Sequence, residues 1–283
     1  MTGVKTWRHY ANTRDGQVHL LSAEPNDGAQ RTKTPLACLH QSPMSGDVFA
    51  DFLPVMAQDR VVHCPDTPGF GGSDRPLKVR NGEKATVENF GLGLADAFID
   101  LGFSAEKPID LFGFHTGSLA AIELTRARPE IIRRIILVGI PYYPAAERPV
   151  MEKQFVTPYA FLTDPDYVPD MYSRMVLNAT NDLTNEERFE NFLGRMRAGP
   201  HGQDGPDSVW SYDADAGLSE LAALKKPILF LAFNEVLTEP HKHAHRLYFP
   251  EAPLIELSHL PMEGFKAGPQ DVADAVRPFL DAA

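Results

Sequence analysis

Ile109-Asp110-Leu111-Phe112-Gly113-Phe114-His115-Thr116-Gly117-Ser118-Leu119 is the stretch that decides the fold. A β-rich, apolar run enters Gly-Phe-His-Thr-Gly, and apolar residues then recur at helical spacing until Pro129 stops them. A strand that turns sharply into a helix favours small residues around its apex, because a Cβ at either glycine would crowd the helix.

Similar units lie on both sides. Residues 35–40, 60–65 and 134–140 have strand character, as does the 108–113 run that enters the turn. Residues 46–57, 86–101 and 115–128 have helical character; Val87, Phe90, Leu94 and Ala97 form one stripe of the second. The rhythm stops at residue 141 and resumes with a strand over 227–233, a helix over 239–248, the strand Leu254–Leu257 and the helix Pro269–Asp281. Two further strands, 7–13 and 17–23, flank the hairpin turn Arg14-Asp15-Gly16. The alternation predicts an α/β fold: a mostly parallel sheet with helices on both faces. Residues 141–217 show no clean strand but contain helical pieces (171–178 and Asn185–Arg197) and many aromatic residues. The expected organisation is one core built from 1–140 and 218–283, interrupted by a helical cap over 141–217.

Composition limits the function. The 283 residues carry 27 Lys and Arg against 38 Asp and Glu, a formal charge of −11, which argues against nucleic acid and anionic membrane as partners. The apolar runs are too short to span a bilayer, and the first ten residues lack a signal-length apolar segment. Cys38 and Cys64 lie in strand-like runs and read as buried thiols. The expected location is cytoplasmic. Glycines 69–72 do not spell a dinucleotide fingerprint after the first strand. His241, His243 and His245 lack the carboxylates or thiols that would complete a metal site, and read as a solvated helix face. No metal or organic cofactor is implied, and the oligomeric state is not legible.

Four motifs resemble those of the α/β-hydrolase superfamily, in its order. Gly113-Phe114-His115-Thr116-Gly117 resembles the nucleophile elbow G-x-S-x-G, with histidine in place of serine. Leu39-His40-Gln41-Ser42-Pro43 is similar to the loop that supplies half of the oxyanion hole. Asp66-Thr67-Pro68-Gly69-Phe70-Gly71-Gly72-Ser73-Asp74 resembles the family's D-x-P-G-x-G-x-S turn. Ser258-His259-Leu260-Pro261-Met262-Glu263 resembles the catalytic-histidine loop, and Asn234-Glu235 stands where the family carries its acid.

The resemblance implies an α/β-hydrolase fold with an inserted cap. It implies His259 as base, Glu235 as orienting acid, and the N–H groups of Gln41 and Thr116 as oxyanion donors. His115 has three open roles: nucleophile through a ring nitrogen, general acid/base, or plug in an inactive binding protein. Two imidazoles in one pocket would keep at least one neutral, which favours acid/base work. Ser118 and Thr116 are poorer nucleophiles because neither occupies the apex. Asp66 and Asp74 read as turn residues, His40 as support for its loop's backbone, and Glu263 as a helix-entry residue. His201 reads as exposed. Tyr142, Tyr143, Phe155 and Trp210 are the candidate substrate-binding aromatics of the cap. The expected activity is hydrolysis of a small, largely apolar carbonyl compound (an ester, a lactone or a diketone C–C bond). Lyase, decarboxylase, isomerase or cyclase chemistry, or ligand binding without turnover, are the alternatives.

Overall fold

The computed structural model describes residues 3–156, 158–180 and 183–282. Strands β1 (Val4–Thr13) and β2 (Gly16–Pro25) form an antiparallel hairpin through the expected turn. They are followed by β3 (Leu36–Leu39), α1 (Phe52–Met56) and β4 (Val62–Pro65). Next come α2 (Leu77–Arg80), α3 (Val87–Asp100), β5 (Ile109–Phe114), α4 (Thr116–Ala127) and β6 (Ile132–Val138). Four helices intervene: α5 (Arg148–Phe155), α6 (Tyr167–Tyr172), α7 (Asn185–Arg197) and α8 (Asp204–Ser211). The chain closes with α9 (Ala214–Ala223), β7 (Ile228–Phe233), α10 (Thr238–Tyr248), β8 (Leu254–Leu257), α11 (Gly264–Ala267) and α12 (Pro269–Asp281).

The strands make one sheet in the order β1-β2-β4-β3-β5-β6-β7-β8. β2 pairs antiparallel with β1 and β4, and the remaining pairs are parallel. Every residue of β3, β4, β5 and β7 is buried, the mark of strands covered on both sides. Successive side chains feed opposite cores. Ala37, Leu39, Ile135, Leu137 and Phe230 meet α3, α4 and α9, while Leu36, Cys38, Ile136, Val138 and Leu229 meet α1 and α12. Phe265 of α11 closes the second core, with its ring centre 4.8 Å from Phe49, 5.0 Å from Phe114 and 5.3 Å from Phe233. Both cysteines are buried free thiols, as expected.

Apart from shifts of one to three residues at other element ends, four readings differ; the helical piece expected over 171–178 is the end of α6 followed by a π-helical turn, Ser173–Leu177. The helix expected over 46–57 is a 3₁₀ turn (Gly46–Phe49) followed by the short α1. β6 stops at Val138 because Gly139 turns the chain at φ +60°. α9 crosses the expected 217/218 boundary, and its Ala214, Leu218 and Leu221 all join the core beside α4. The helices between β6 and β7 have a small core of their own, Tyr167, Met171, Val176 and Phe192.

Truncating the aromatic keystone, Phe265→Ala, should lower unfolding free energy by about 3–5 kcal/mol. Urea denaturation would show this as a reduced midpoint; an unchanged midpoint would mean that the ring is not packed as described.

Candidate active site

The turn after β5 is built as its sequence requires. His115 adopts φ 52° and ψ −116°, between Phe114 at the strand end and Thr116 at the first residue of α4. A non-glycine residue there is strained and must be held by its surroundings. A Cβ on Gly113 would come within 2.6 Å of the Gly117 carbonyl oxygen, and one on Gly117 within 2.0 Å of the Leu39 oxygen. The His115 N–H donates to the Val138 oxygen at 2.9 Å. Ser118 is fully buried and its hydroxyl reaches the Gly113 and Val138 oxygens at 2.7 and 2.8 Å, so it ties the turn together.

Glu235 meets His115 directly. Its two oxygens lie 2.8 and 2.9 Å from Nε2, with the histidine side chain 14% exposed and the glutamate 3%. A carboxylate facing Nε2 accepts a hydrogen bond from the N–H of that nitrogen, so the neutral ring has its lone pair on Nδ1. Glu235 is fixed by the first turn of α10: its N–H donates to Thr238 Oγ1 at 3.1 Å, and that hydroxyl reaches the Glu235 and Phe233 oxygens at 2.7 and 2.6 Å. Gly139 forms the floor. A Cβ at this position would fall 2.4 Å from His115 Cδ2 and 2.5 Å from Glu235 Oε1.

His259 does not join this pair. It sits 61% exposed and its Nε2 faces Asp271 Oδ2 at 2.8 Å, itself 53% exposed. The expected bridge from an elbow residue through His259 to Glu235 is therefore absent from the geometry. Leu260 is the buried residue of that loop, and its oxygen accepts the Asn234 N–H at 2.8 Å, which turns the neighbouring His259 outward. Glu235, one CH₂ longer than aspartate, reaches the elbow unaided. The two-imidazole argument consequently does not apply.

The loop after β3 lies against the elbow. His40 is fully buried; its Nε2 accepts the Thr67 N–H at 2.8 Å, so Nδ1 carries the proton and donates to the Gln41 oxygen at 2.8 Å. Burial lowers its pKa despite the charge of Asp66. His40 thus orients the Gln41 peptide, the backbone role expected of it. The Ser42 N–H contacts Thr116 Oγ1 at 3.4 Å, and Thr116, first in α4, has an N–H with no partner inside the helix. Asp66 is a turn residue: its carboxylate accepts the Gly46 and Gly72 N–H groups at 2.7 Å each. Asp74 accepts the Gln17 N–H at 2.8 Å, and Glu263 is the residue that enters α11, with no side-chain bond to its first turn.

The aromatic candidates divide. Tyr143 stacks on Trp210 at 5.5 Å, and its phenol pKa is raised by burial and by the charges of Glu235 and Glu147. Tyr142 turns away: its hydroxyl donates to Asp215 Oδ1 at 2.7 Å, beside Tyr248. The side chain of Phe155 lies outside the described residues. The histidines of α10 are not a solvated face, since His241 is fully buried and Nδ1 accepts the Ile140 N–H at 3.2 Å. Burial pushes its pKa down to about 3. His243 packs edge-on against Tyr142, and His245 contacts the Ala252 oxygen at 2.8 Å. His201 is half-buried beside Arg75, which pairs with Asp204 at 3.1 Å. Gly139, Thr238 and His241 were not legible as site residues; a lone glycine after a strand was the only available signal.

Among the described residues no group of three or more His, Cys, Asp or Glu is placed to hold a metal, and no helix is long and apolar enough to cross a membrane.

No family model matches the chain. A 2-hydroxymuconate semialdehyde hydrolase of Pseudomonas sp. (strain CF600) is 31% identical over 108 residues, which are 37% of this chain and 36% of that protein. A bromoperoxidase from Bacillus anthracis superposes with a TM-score of 0.76 at 16% identity, over 98% of this chain and all of that one. A hydrolase from Pseudomonas aeruginosa PA01 gives 0.73 at 20% identity, over 97% and 98%. The chain has the α/β-hydrolase fold, with helices inserted between β6 and β7.

Gly139→Ala should cost about 1–3 kcal/mol through backbone strain and overlap with the His115 ring. The cost should shrink when His115→Ala is added, a coupling that a double-mutant cycle measures by urea denaturation. Strictly additive losses would place the ring elsewhere.

Proposed function

We propose that this chain is a hydrolase in which the His115–Glu235 dyad replaces the serine-based triad of its fold, acting on a small carbonyl compound such as an ester or lactone. The observation that carries the reading is Nε2 of His115 on the Glu235 carboxylate, which leaves Nδ1 as the basic atom at the elbow. The fold and the hydrolase name of the partial relative support it.

His115 Nδ1 takes a proton from a water molecule as the water oxygen bonds to the substrate carbonyl carbon. The carbonyl oxygen becomes an oxyanion, for which the N–H groups of Gln41 and Thr116 are the proposed donors. Glu235 remains anionic and stabilises the imidazolium. Collapse of the tetrahedral adduct breaks the bond to the leaving oxygen, which takes the proton back from Nδ1. Acid and alcohol are released and the dyad is restored. Water as nucleophile avoids an acyl-imidazole. The helices α5–α8 act as the cap, with Tyr143 and Trp210 as the apolar wall beside the dyad.

On a panel of activated esters and lactones, His115→Ala and Glu235→Gln should each reduce kcat by about 10²–10⁴-fold. His259→Ala should leave kcat unchanged. A His259→Ala loss equal to that of His115→Ala would return the base role to His259. No loss in His115→Ala on a substrate that the parent turns over would end the dyad reading.

A further inference from the structure

β6 pairs with β7 as far as Val138 and Leu231. Gly139 then turns the chain at φ +60°, so the Ile140 N–H falls beyond the ladder. It is received by His241 of α10, whose Nδ1 accepts it at 3.2 Å. A neutral imidazole that accepts at Nδ1 carries its proton on Nε2. That Nε2 is buried and has no hydrogen-bond partner. The whole ring is buried, 5.0 Å from the ring centre of Phe230.

Such a histidine brings little net stability. It satisfies one buried N–H and leaves another unmet, and the two effects oppose each other. What it does hold is the segment in contact with the dyad. A Cβ added at Gly139 would fall 2.4 Å from His115 Cδ2, 2.7 Å from His115 Nε2 and 2.5 Å from Glu235 Oε1. The Gly139 backbone thus lies against both halves of the pair. Val138, just before it, accepts the His115 N–H at 2.9 Å.

One helix governs both sides of this contact. Thr238, first in α10, fixes the turn that carries Glu235. His241 follows one helical turn later and fixes Ile140. The carboxylate and the floor beneath it are therefore both referred to α10. Burial, joined by the charges of His245, His115 and Lys242, holds the His241 pKa down to about 3, so Nδ1 stays bare at neutral pH.

We propose that His241 is a positioning residue for the His115–Glu235 dyad: through the Ile140 N–H it sets where the Gly139 floor lies, and with it the approach of the His115 ring to Glu235. His241 itself touches no reacting atom. Its effect on turnover rests on the proposed hydrolysis; its effect on the His115 ring does not. A reacting group misplaced by about 1 Å can cost about 10²-fold in rate, so a modest shift of the floor is enough to be read.

Two variants separate positioning from packing. His241→Leu removes the acceptor and the unmet N–H together, while His241→Asn puts Oδ1 where Nδ1 stood, at the same number of bonds from the backbone. Tm reports whether each folds. On the panel of activated esters and lactones, His241→Leu should lower kcat at least about tenfold with KM within about twofold, and His241→Asn should recover most of that loss. The pH titration of the His115 ring, followed by its ¹⁵N shifts, should move in His241→Leu and return toward the parent midpoint in His241→Asn. A folded His241→Leu that turns over esters like the parent, with the parent's His115 midpoint, would overturn the positioning role and leave the hydrolytic reading standing. A His241→Asn no better than His241→Leu would overturn it too. If His241→Leu does not fold, the His241 ring of the parent decides: bare Nδ1 with protonated Nε2 upholds the clamp, and the reverse overturns it. A His115 titration that responds to His241→Leu in a chain that turns over no ester would remove the hydrolytic reading alone.

Discussion

The contact between Glu235 and Nε2 of His115 is the constraint around which the rest of the site is arranged. It needs an elbow residue in a strained conformation, a carboxylate at the end of β7, and a floor without a side chain at the end of β6. Three different parallel strands deliver these parts to one edge of the sheet, at their carboxyl ends, where ligand sites of open α/β sheets form. The surrounding hydrogen bonds are spent on backbone. Ser118 ties the elbow to β6, Thr238 holds the Glu235 turn, and His241 holds Ile140 just past the floor. Strain at His115 persists because its neighbours over-determine it.

The imidazole at the apex of the turn is long enough to reach Glu235 directly. With Glu235 taking Nε2, a second histidine has no partner left at the site, and His259 sits in the exposed pair with Asp271. The loop that carries it packs Leu260 and holds Asn234.

The parts of the fold that could be read from sequence were those set by periodicity and turn chemistry. The buried β5, the stripe of α3 and the hairpin at Gly16 all follow local patterns. What could not be read depended on distant partners. The end of β6 was set by one glycine whose floor role exists only once β7 supplies Glu235. The first turn of α9 reads as the end of the insertion, yet its Ala214 joins Leu218 and Leu221 in the core beside α4. The direction of His259 depended on which neighbour in its loop was buried, and that of Tyr142 on Asp215, 73 residues away. Residue types at the elbow were legible; which of them would touch was not.

The protonation of the His115 ring tests the account most directly. Long-range ¹H–¹⁵N correlation at neutral pH should show the neutral His115 ring protonated at Nε2 and bare at Nδ1, with Glu235→Gln shifting that balance. A ring protonated at Nδ1 with Nε2 bare, or a His115 signal indifferent to Glu235→Gln, would contradict it.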